Sequence, residues 1–435
     1  LCSNDERFDK QWAHQNTDTI YGWTIERGNP EVLIAIVDTG VDWQHEDLAA
    51  NIWNNNDEIP DNGIDDDDNG YIDDVRGYDF VDIDIEACEN DPDCELTEGE
   101  DYTEIDNDPM DVKGHGTHCA GIAAAVTDNN LGVAGVCHNC KIMPVRAGFS
   151  IKYGGRIGGS LQHDDIANAI HYAADNNAKI ISMSFGGSSS NLEKEAIDYA
   201  YSEGVVLIAA SGNSNTDSKS YPAGHDNVIA VAATDINDNK AWFSNYGYWT
   251  DVSAPGVDIL STLPYTDTYV CIFNEYYIVP YKLGCGLFKN SIKPRVVGTL
   301  IDVGLGKIED IQEKNLIGKI VLIKKGEIPV IEKIKNVQDK GAIGAIIYNN
   351  EEGFFRGVLE EQVNIPVVSI SKENGEKLIT QLEVRKVHGI KVTFKFPHQG
   401  IIPPQKQKKY VSYSGTSMAT PYVAGLAGLI LSKQD

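Results

Sequence analysis

Apolar runs separated by amphipathic stretches shape the N-terminal half of the chain. Each run is continuous or nearly so, which is typical of a strand buried on both faces of a parallel sheet; four of them are residues 32–37, 179–184, 204–210 and 228–233. Apolar residues recur at helical spacing between these runs, along residues 164–176 and 192–202. This alternation predicts an α/β fold in which helices cover both faces of a parallel sheet. Functional residues are expected beyond the carboxyl ends of its strands.

A second pattern begins near residue 295. Short strands are predicted at residues 318–323, 345–348 and 365–370, with a helix over residues 330–340. Between residues 281 and 410 the chain has 22 Lys and Arg against 14 Asp and Glu, whereas the remainder has 14 against 51. So sharp a change in charge indicates a separate domain. We therefore predict a main domain built from residues 1–264 and 410–435, interrupted by an insertion over residues 265–409.

The composition excludes some classes of protein. With 435 residues, 42% of them hydrophobic, the chain is long enough for a large buried core. The net charge of -29 argues against a nucleic-acid partner, because phosphate binding needs a cationic surface. No run approaches the roughly 18 apolar residues that span a bilayer. Since the first ten residues are polar, we expect a soluble chain that has already been processed.

The eight cysteines include three pairs that are close in sequence. In an exported protein, Cys88/Cys94, Cys137/Cys140 and Cys271/Cys285 are interpreted as local disulfides. The segment Cys137-His138-Asn139-Cys140 is also compatible with half a zinc site, although no second Cys/His pair occurs at matching spacing. Cys2 and Cys119 have no evident local partner, and their pairing stays open.

Three short motifs contain residue types suited to nucleophilic catalysis. They are Val37-Asp38-Thr39-Gly40, Gly114-His115-Gly116-Thr117 and Gly415-Thr416-Ser417-Met418. A serine hydroxyl is a weak nucleophile until an imidazole removes its proton, and a carboxylate on the other ring nitrogen fixes the tautomer of the histidine. Taken singly, each motif is also compatible with a turn, a packed histidine or a helix cap. Together, in the order Asp, His, Ser, they resemble the subtilase family of serine proteases.

The resemblance continues through Ser182–Gly187, Ala209–Asn213 and Ala254–Val257, and it implies a secreted endopeptidase that hydrolyses peptide bonds through an acyl-enzyme. In this family Ser417 would be the nucleophile, His115 the base, Asp38 the residue that orients the histidine, and Asn213 a donor to the oxyanion. The resemblance also implies two kinds of partner. They are protein or peptide substrates and the chain's own propeptide, which would assist folding and inhibit the mature form. The residues implied to bind substrate are Ser184, Phe185, Gly186, Ala209, Ala210 and Gly212. Cys119, behind the histidine, is expected to be a buried free thiol.

The primary pocket implied by the resemblance is a wide slot with its floor near Ser220. Since no carboxylate is assigned to that floor, we expect broad specificity with large apolar residues preferred before the cut.

Calcium is the expected cofactor, with two or more ions. An Asp-rich loop has the Asp-x-Asp-x-Asn-Gly spacing at which alternate side chains and a following carbonyl meet a hard cation. Its predicted ligands are Asp65, Asp67, Asn69, the carbonyl of Tyr71, and Asp73 or Asp74; a solvated acidic loop is the alternative. A second site is implied by the family resemblance alone, with side chains from Asp47 and Asn129, carbonyls from Thr127, Leu131 and Val133, and an N-terminal ligand that the sequence does not identify.

Residues from about 295 to 398 resemble the protease-associated (PA) domain found in some large subtilases. By analogy it would restrict or position protein substrates, and a structural appendage is an equal alternative. Two rival functions are a catalytically silent scaffold that binds proteins through this insertion and a calcium-dependent adhesion module. The first is disfavoured because Asp38, His115, Ser417 and Asn213 are all present, and the second does not account for the three motifs.

Overall fold

The chain folds into two units. A computed structural model describes residues 3–60, 62–91, 93–97, 100–102, 105–154, 156–264, 268–275, 278–287, 296–350, 359, 361–384, 391–395 and 409–433. Unit one comprises Leu1–Tyr265 and Lys406–Asp435, and unit two comprises Thr266–Gln405.

Unit one contains most of the regular elements. Its strands before residue 265 are β1 (Leu33–Asp38), β2 (Tyr78–Asp79), β3 (Cys94–Leu96), β4 (Lys141–Arg146), β5 (Gly148–Tyr153), β6 (Arg156–Leu161), β7 (Ile180–Met183), β8 (Val206–Ala210), β9 (Val228–Thr234), β10 (Val252–Pro255) and β11 (Ile259–Thr262). Its helices there are α1 (Trp12–Asn16), α2 (Thr19–Gly22), α3 (Ile85–Glu89), α4 (His115–Ala124), α5 (His163–Asp175) and α6 (Asn191–Ser202), with short 3-10 helices at Phe8–Lys10 and Ala49–Asn51.

Unit two is a closed barrel with strand order β12-β13-β17-β16-β15-β14-β18. Its elements are β12 (Thr268–Glu275), β13 (Ile278–Leu287), β14 (Val296–Asp302), α7 (Ile308–Ile311), β15 (Lys319–Lys324), α8 (Val330–Asp339), β16 (Gly344–Tyr348), β17 (Val367–Ile370), α9 (Lys372–Val384) and β18 (Lys391–Lys395). Strands β14 to β17 run parallel, and β18 joins β14 to β12 in antiparallel pairs. The chain then returns to unit one through β19 (Tyr410–Tyr413) and α10 (Thr416–Ser432).

The central sheet of unit one has seven parallel strands in the order β10-β9-β8-β7-β1-β4-β2. Successive side chains of β1 point to opposite faces and are buried on both, as expected for a central parallel strand. Ile34 and Ile36 belong to the apolar core shared with α4 and α10, whereas Leu33, Ala35 and Val37 belong to the core shared with α5 and α6. The predicted α/β architecture, with helices on both faces of a parallel sheet, is therefore confirmed.

A three-stranded antiparallel sheet, β3-β5-β6, was not anticipated from the apolar pattern. A disulfide joins Cys88 in α3 to Cys94 at the start of β3, and a second joins Cys137 to Cys140. Both predicted pairings are confirmed, and the zinc alternative at 137–140 is wrong because the two sulfurs are bonded to each other. The side chains of Cys271 and Cys285, like Cys2, lie outside the described residues.

Within the part of the chain that the structure describes, no helix has both the length and the apolar character that a membrane crossing requires.

Candidate active site and cation-binding loops

Asp38 and His115 meet at the carboxyl end of the central strand. Asp38 is the last residue of β1, and His115 is the first residue of α4. Oδ1 of Asp38 lies 2.7 Å from Nδ1 of His115 and also accepts a hydrogen bond from the backbone N–H of Thr39 at 2.8 Å. Burial of the imidazole opposes its charged form, but the nearby carboxylate of Asp38 outweighs this effect and raises the pKa of His115 well above 6.5. The imidazole of His115 can therefore accept a proton, and the carboxylate of Asp38 stabilises the resulting charge.

Two features bring these side chains together. A Cβ atom at Gly116 would overlap the carbonyl oxygen of Gly40 and lie 3.0 Å from Cβ of Asp38, so only glycine permits this approach of α4 to the end of β1. Asp111, which the sequence pattern does not single out, is buried just before α4. Its carboxylate accepts hydrogen bonds from Thr39 Oγ1, from Gly114 N–H, and from both the N–H and Oγ1 of Thr117. These four donors tie the start of α4 to the turn after β1.

Ser417 lies in the first turn of α10 and is bonded to the end of β7. Its Oγ donates to the carbonyl oxygen of Ser184 at 2.9 Å, and Oγ of Ser184 donates to the carbonyl oxygen of Ser417 at 2.9 Å. Among the described residues, no hydrogen bond joins Ser417 to His115. Apo structures commonly show loose hydrogen bonds between catalytic groups, and a rotation about χ1 of Ser417 would redirect its hydroxyl.

Two side chains lie behind His115 on α4. Cys119 is a buried free thiol, as predicted, with Sγ 3.4 Å from the carbonyl oxygen of Ser417 and 4.0 Å from Nδ1 of His115. Burial raises the pKa of this thiol. His118 stacks on Tyr413 and places Nε2 3.0 Å from the carbonyl oxygen of Val411. Burial lowers the pKa of His118 to about 3, so this imidazole is neutral and serves packing.

Two hydrogen-bond donors converge beside Gly415. Asn213 follows the end of β8, and its Oδ1 accepts from the backbone N–H and Oγ1 of Thr416 at 2.8 and 3.0 Å, which turns Nδ2 away from that contact. The position that a Cβ would take at Gly415 lies 3.6 Å from Nδ2 of Asn213 and 3.6 Å from the backbone nitrogen of Ser417. The missing side chain at residue 415 thus leaves a space that two donors approach from different elements.

Two of the predicted pocket residues, Gly186 and Gly212, lie beside Ser220. Ala209 and Ala210 end β8 and are buried, while Ser184 and Phe185 follow β7. A Cβ at Gly186 would come within 2.5 Å of Ser220 Oγ, and one at Gly212 within 3.5 Å of Ser220 Cβ. Gly212 also has a φ of +104°, which favours glycine. Both predicted walls therefore approach the predicted floor.

The acidic loop brings together carboxylate oxygens of three residues, two of which were predicted. Single carboxylate oxygens of Glu58, Asp65 and Asp67 lie within 4.8 Å of one another, and this trio could hold a metal ion. Oε2 of Glu58 is buried and has no hydrogen-bond partner among the described residues, as expected of an oxygen that faces a cation. Glu58 was missed because it lies seven residues before Asp65, outside the Asp-x-Asp spacing.

The side chains of the other residues predicted in this loop have contacts of their own. Asp73 accepts the backbone N–H groups of Asn62 and Gly63 through its two carboxylate oxygens. Asp74 is buried and accepts from three donors, Tyr172 Oη at 2.7 Å and the amides of Asn55 and Asn69. The side chain of Asn69 bridges Asp67 and Asp74, and the ring of Tyr71 contacts the rings of Tyr78 and Tyr172. Asp73 and Asp74 thus support the loop that presents Asp65 and Asp67.

The second predicted site is assembled around Asp47, a fully buried residue. Asn129 Nδ2 and the N–H of Val133 donate to its two oxygens at 2.8 and 2.9 Å, and the N–H of Leu131 donates to Oδ1 of Asn129. Oγ1 of Thr127 accepts from the N–H of Gly135. Asp5, which the sequence does not identify, accepts from the N–H groups of residues 128 and 129. Burial raises the pKa of Asp47 to about 6, and a cation between Asp47 and Asp5 would offset that cost.

Comparison with known proteins finds matches to two families. A family model described as the subtilase family matches residues 29–277 and 398–435, and one described as the PA domain matches residues 282–378. The chain is 41% identical over 254 residues to a thermophilic serine proteinase of Bacillus sp. (strain AK1), covering 58% of this chain and 51% of that protein. It is 38% identical over 283 residues to thermitase of Thermoactinomyces vulgaris, covering 65% and 82%.

A third relative is the halolysin-like extracellular serine protease Nep of Natrialba magadii, which is 34% identical over 319 residues, with 70% of this chain and 50% of that protein covered. The chain thus spans about half the length of two of these three relatives.

Proposed function

Because the chain belongs to the subtilase family, we propose that it is a serine endopeptidase in which Ser417 attacks the peptide carbonyl, His115 acts as base and Asp38 orients the histidine. The observation that carries this proposal is the 2.7 Å contact between Asp38 and His115 at the end of β1, beside the first turn of the helix that carries Ser417. These are the parts that acyl transfer requires.

In the proposed reaction, Ser417 Oγ leaves the carbonyl of Ser184 and transfers its proton to Nε2 of His115 as the bond to the substrate carbon forms. Asp38 stabilises the imidazolium from Nδ1. The protonated histidine then gives its proton to the leaving amine as the C–N bond breaks, which leaves an acyl-enzyme. A water molecule, deprotonated by the same histidine, hydrolyses the ester and restores the serine.

The space beside Gly415 is the proposed oxyanion site. Nδ2 of Asn213 and the backbone nitrogen of Ser417 each lie 3.6 Å from the position that a Cβ would take at Gly415, and the amino end of α10 favours negative charge there. An oxyanion donor contributes most when it is positioned before the reaction, which the two bonds from Thr416 to Asn213 Oδ1 achieve.

The primary pocket is proposed to lie between Ser184–Gly186 and Ala209, Ala210 and Gly212, with Ser220 at its floor. Small residues on both walls would leave a wide slot. A large apolar side chain before the cut would gain about 1.5 to 3 kcal/mol from burial, and discrimination among apolar residues would be weak. We therefore expect broad cleavage with a preference for Phe and Leu.

We also propose that the loops around Glu58 and Asp47 each hold a calcium ion. The donors in both are hard oxygen atoms, which suit Ca²⁺. Glu58, Asp65 and Asp67 would hold one ion; Asp47, Asn129, Asp5 and carbonyls of the 127–133 loop would hold the other. The ions would stabilise the fold and take no part in the chemistry.

An extracellular location is proposed on two observations. Two disulfides occur among the described residues, and such bonds persist in oxidising compartments. Relatives such as the Natrialba protease are named as extracellular. Unit two, with its PA-domain match, is proposed to position protein substrates.

Labelling with a fluorophosphonate, followed by mapping of the modified peptide, tests the proposal. Modification is expected at Ser417, and Ser417→Ala should abolish both labelling and hydrolysis without lowering the melting temperature. Ser412 is an exposed serine on β19, and Ser412→Ala is the matched control. Retention of fluorophosphonate-sensitive activity in the Ser417 variant would show that the assignment is wrong.

A further inference from the structure

A buried carboxylate lies away from the proposed catalytic residues. Glu193, in the first turn of α6, is 1% exposed, and glutamate is almost never buried so completely without partners. Its Oε1 lies 3.2 Å from Nε2 of His225, which donates in this pair, and its Oε2 lies 3.6 Å from Nδ1 of His163. The three residues belong to three segments of the chain: α6, the turn before β9, and the first residue of α5.

His225 connects this carboxylate to the proposed pocket. The imidazole ring packs against the ring of Tyr221, with centroids 4.6 Å apart. The backbone of Tyr221 exchanges two hydrogen bonds with Gly187, at 2.8 and 3.1 Å, as in an antiparallel bridge. The neighbouring Ser220 fills the space beside Gly186. A continuous path of contacts therefore runs from Glu193 to the segment 184–187.

We propose that Glu193 is a positioning residue for substrate binding: through His225 and Tyr221 it holds residues 184–187 in the position that peptide substrates require. This inference rests on the proposed function, because it takes residues 184–187 as the substrate-binding segment. Glu193 touches no reacting atom, so it affects the binding of the peptide and leaves the chemistry of Ser417 unchanged.

The pair of Glu193 and His225 is faced by other titratable and charged side chains. Burial raises the pKa of Glu193 above its usual value and lowers that of His225, so the carboxyl group faces an imidazole that is neutral at neutral pH. As the pH falls and Glu193 takes up a proton, its oxygen becomes a weaker acceptor and the anchor loosens. The other titratable or charged side chains that face the pair are His163 on α5, Lys194 and Asp198 on α6, and Lys219 and Asp226 near His225.

Steady-state kinetics with a p-nitroanilide peptide ending in Phe test the inference. Glu193→Gln keeps the shape of the side chain but removes its charge, and should raise KM about tenfold with kcat within about twofold of the parent. Glu195 is exposed on the same helix, and Glu195→Gln is the control, which should leave KM and kcat unchanged. His225→Leu should raise KM similarly, and the double variant should add little, since both residues act along one path.

Two further measurements separate this inference from the proposed function. In the parent protein KM should rise as the pH falls below neutral, whereas in Glu193→Gln it should be nearly flat. Fluorophosphonate labelling of Ser417 should proceed at the parental rate in both proteins, because the small reagent does not need residues 184–187. If labelling succeeds while KM of Glu193→Gln stays within twofold of the parent, or if kcat falls instead of KM rising, Glu193 has no positioning role. If the parent itself is not labelled, the proposed function fails.

Discussion

Replacing Gly415 with alanine should strongly lower kcat while leaving the fold intact. The new Cβ would lie 3.6 Å from Asn213 Nδ2, 3.6 Å from the nitrogen of Ser417 and 3.7 Å from Sδ of Met418. All three distances are ordinary van der Waals separations, so no neighbour has to move. Gly415 has φ 166° and ψ 160°, an extended conformation that alanine adopts freely. The free energy of unfolding should therefore change by less than about 1 kcal/mol.

The effect on rate follows from the space that the methyl group fills. An oxyanion must approach its donors to about 2.7–3.1 Å, and a carbon atom placed 3.6 Å from both donors excludes an oxygen from the same side. Loss of one such donor costs about 100- to 1000-fold in kcat, and this substitution obstructs two. We therefore expect kcat at least about 100-fold below that of the parent protein.

The assay combines p-nitroanilide hydrolysis with calorimetry on the same preparation. Gly22→Ala is the matched control, because a Cβ added at Gly22 would have no atom within 4 Å and the φ of this residue is not positive; it should retain full activity. Asn213→Ala should reproduce most of the loss seen with Gly415→Ala. A kcat within tenfold of the parent, together with an unchanged melting temperature, would refute the placement of the oxyanion beside Gly415.

Three other predictions concern cations, buried hydrogen bonds and pH. Chelation with EDTA should lower the melting temperature, since a cation present at 100 times its Kd adds about 2.7 kcal/mol to the free energy of unfolding. The melting temperature of Glu58→Gln should fall less on chelation. An unchanged melting temperature of the parent protein at all chelator concentrations would contradict the calcium proposal. Asp111→Ala should lower the free energy of unfolding by about 2–4 kcal/mol in urea denaturation, because it leaves four buried donors without an acceptor. Asp9 is exposed, and Asp9→Ala, the control, should have little effect. The proposed mechanism requires neutral His115, whose pKa is raised, so kcat/KM should fall as the pH drops through a value above 6.5. Asp38→Asn should lower kcat about 10⁴-fold and move this acid limb of the pH profile to lower pH. An acid limb below pH 6 in the parent protein would contradict the role of Asp38 in raising the pKa of His115.

The sheet and the residues at its edge could be predicted because their signals are local. Continuous apolar runs identified β1, β7, β8 and β9, and Asp38 follows directly from its position at the end of such a run. Strands β5 and β6 were not predicted, because neither contains a continuous apolar run: the apolar side chains of Gly148–Tyr153 occupy alternate positions, and Arg156–Leu161 is rich in glycine and polar residues.

Contacts between distant segments could not be predicted in the same way. Glu58 is one of many acidic residues in its loop, and only the folded chain shows that its Oε2 has no donor among the described residues. Asp111 and Thr39 are 72 positions apart, and Glu193 and His225 are 32 apart. The rotamer of Ser417, bonded to Ser184, depends on where β7 ends relative to α10, which no local pattern specifies.

The antiparallel pair of β11 and β19 has a consequence for the order in which the protein is made. Ile259–Thr262 pairs with Tyr410–Tyr413, so the two segments of unit one meet only after the intervening chain has been synthesised. A ribosome adds roughly 5 to 20 residues per second, so Thr266–Gln405 takes about 7 to 28 s to translate. During that interval the emerging chain has Asp38 and His115 but neither α10 nor Ser417. Under the proposed mechanism, no nascent chain could hydrolyse a neighbouring chain until translation has passed the insertion.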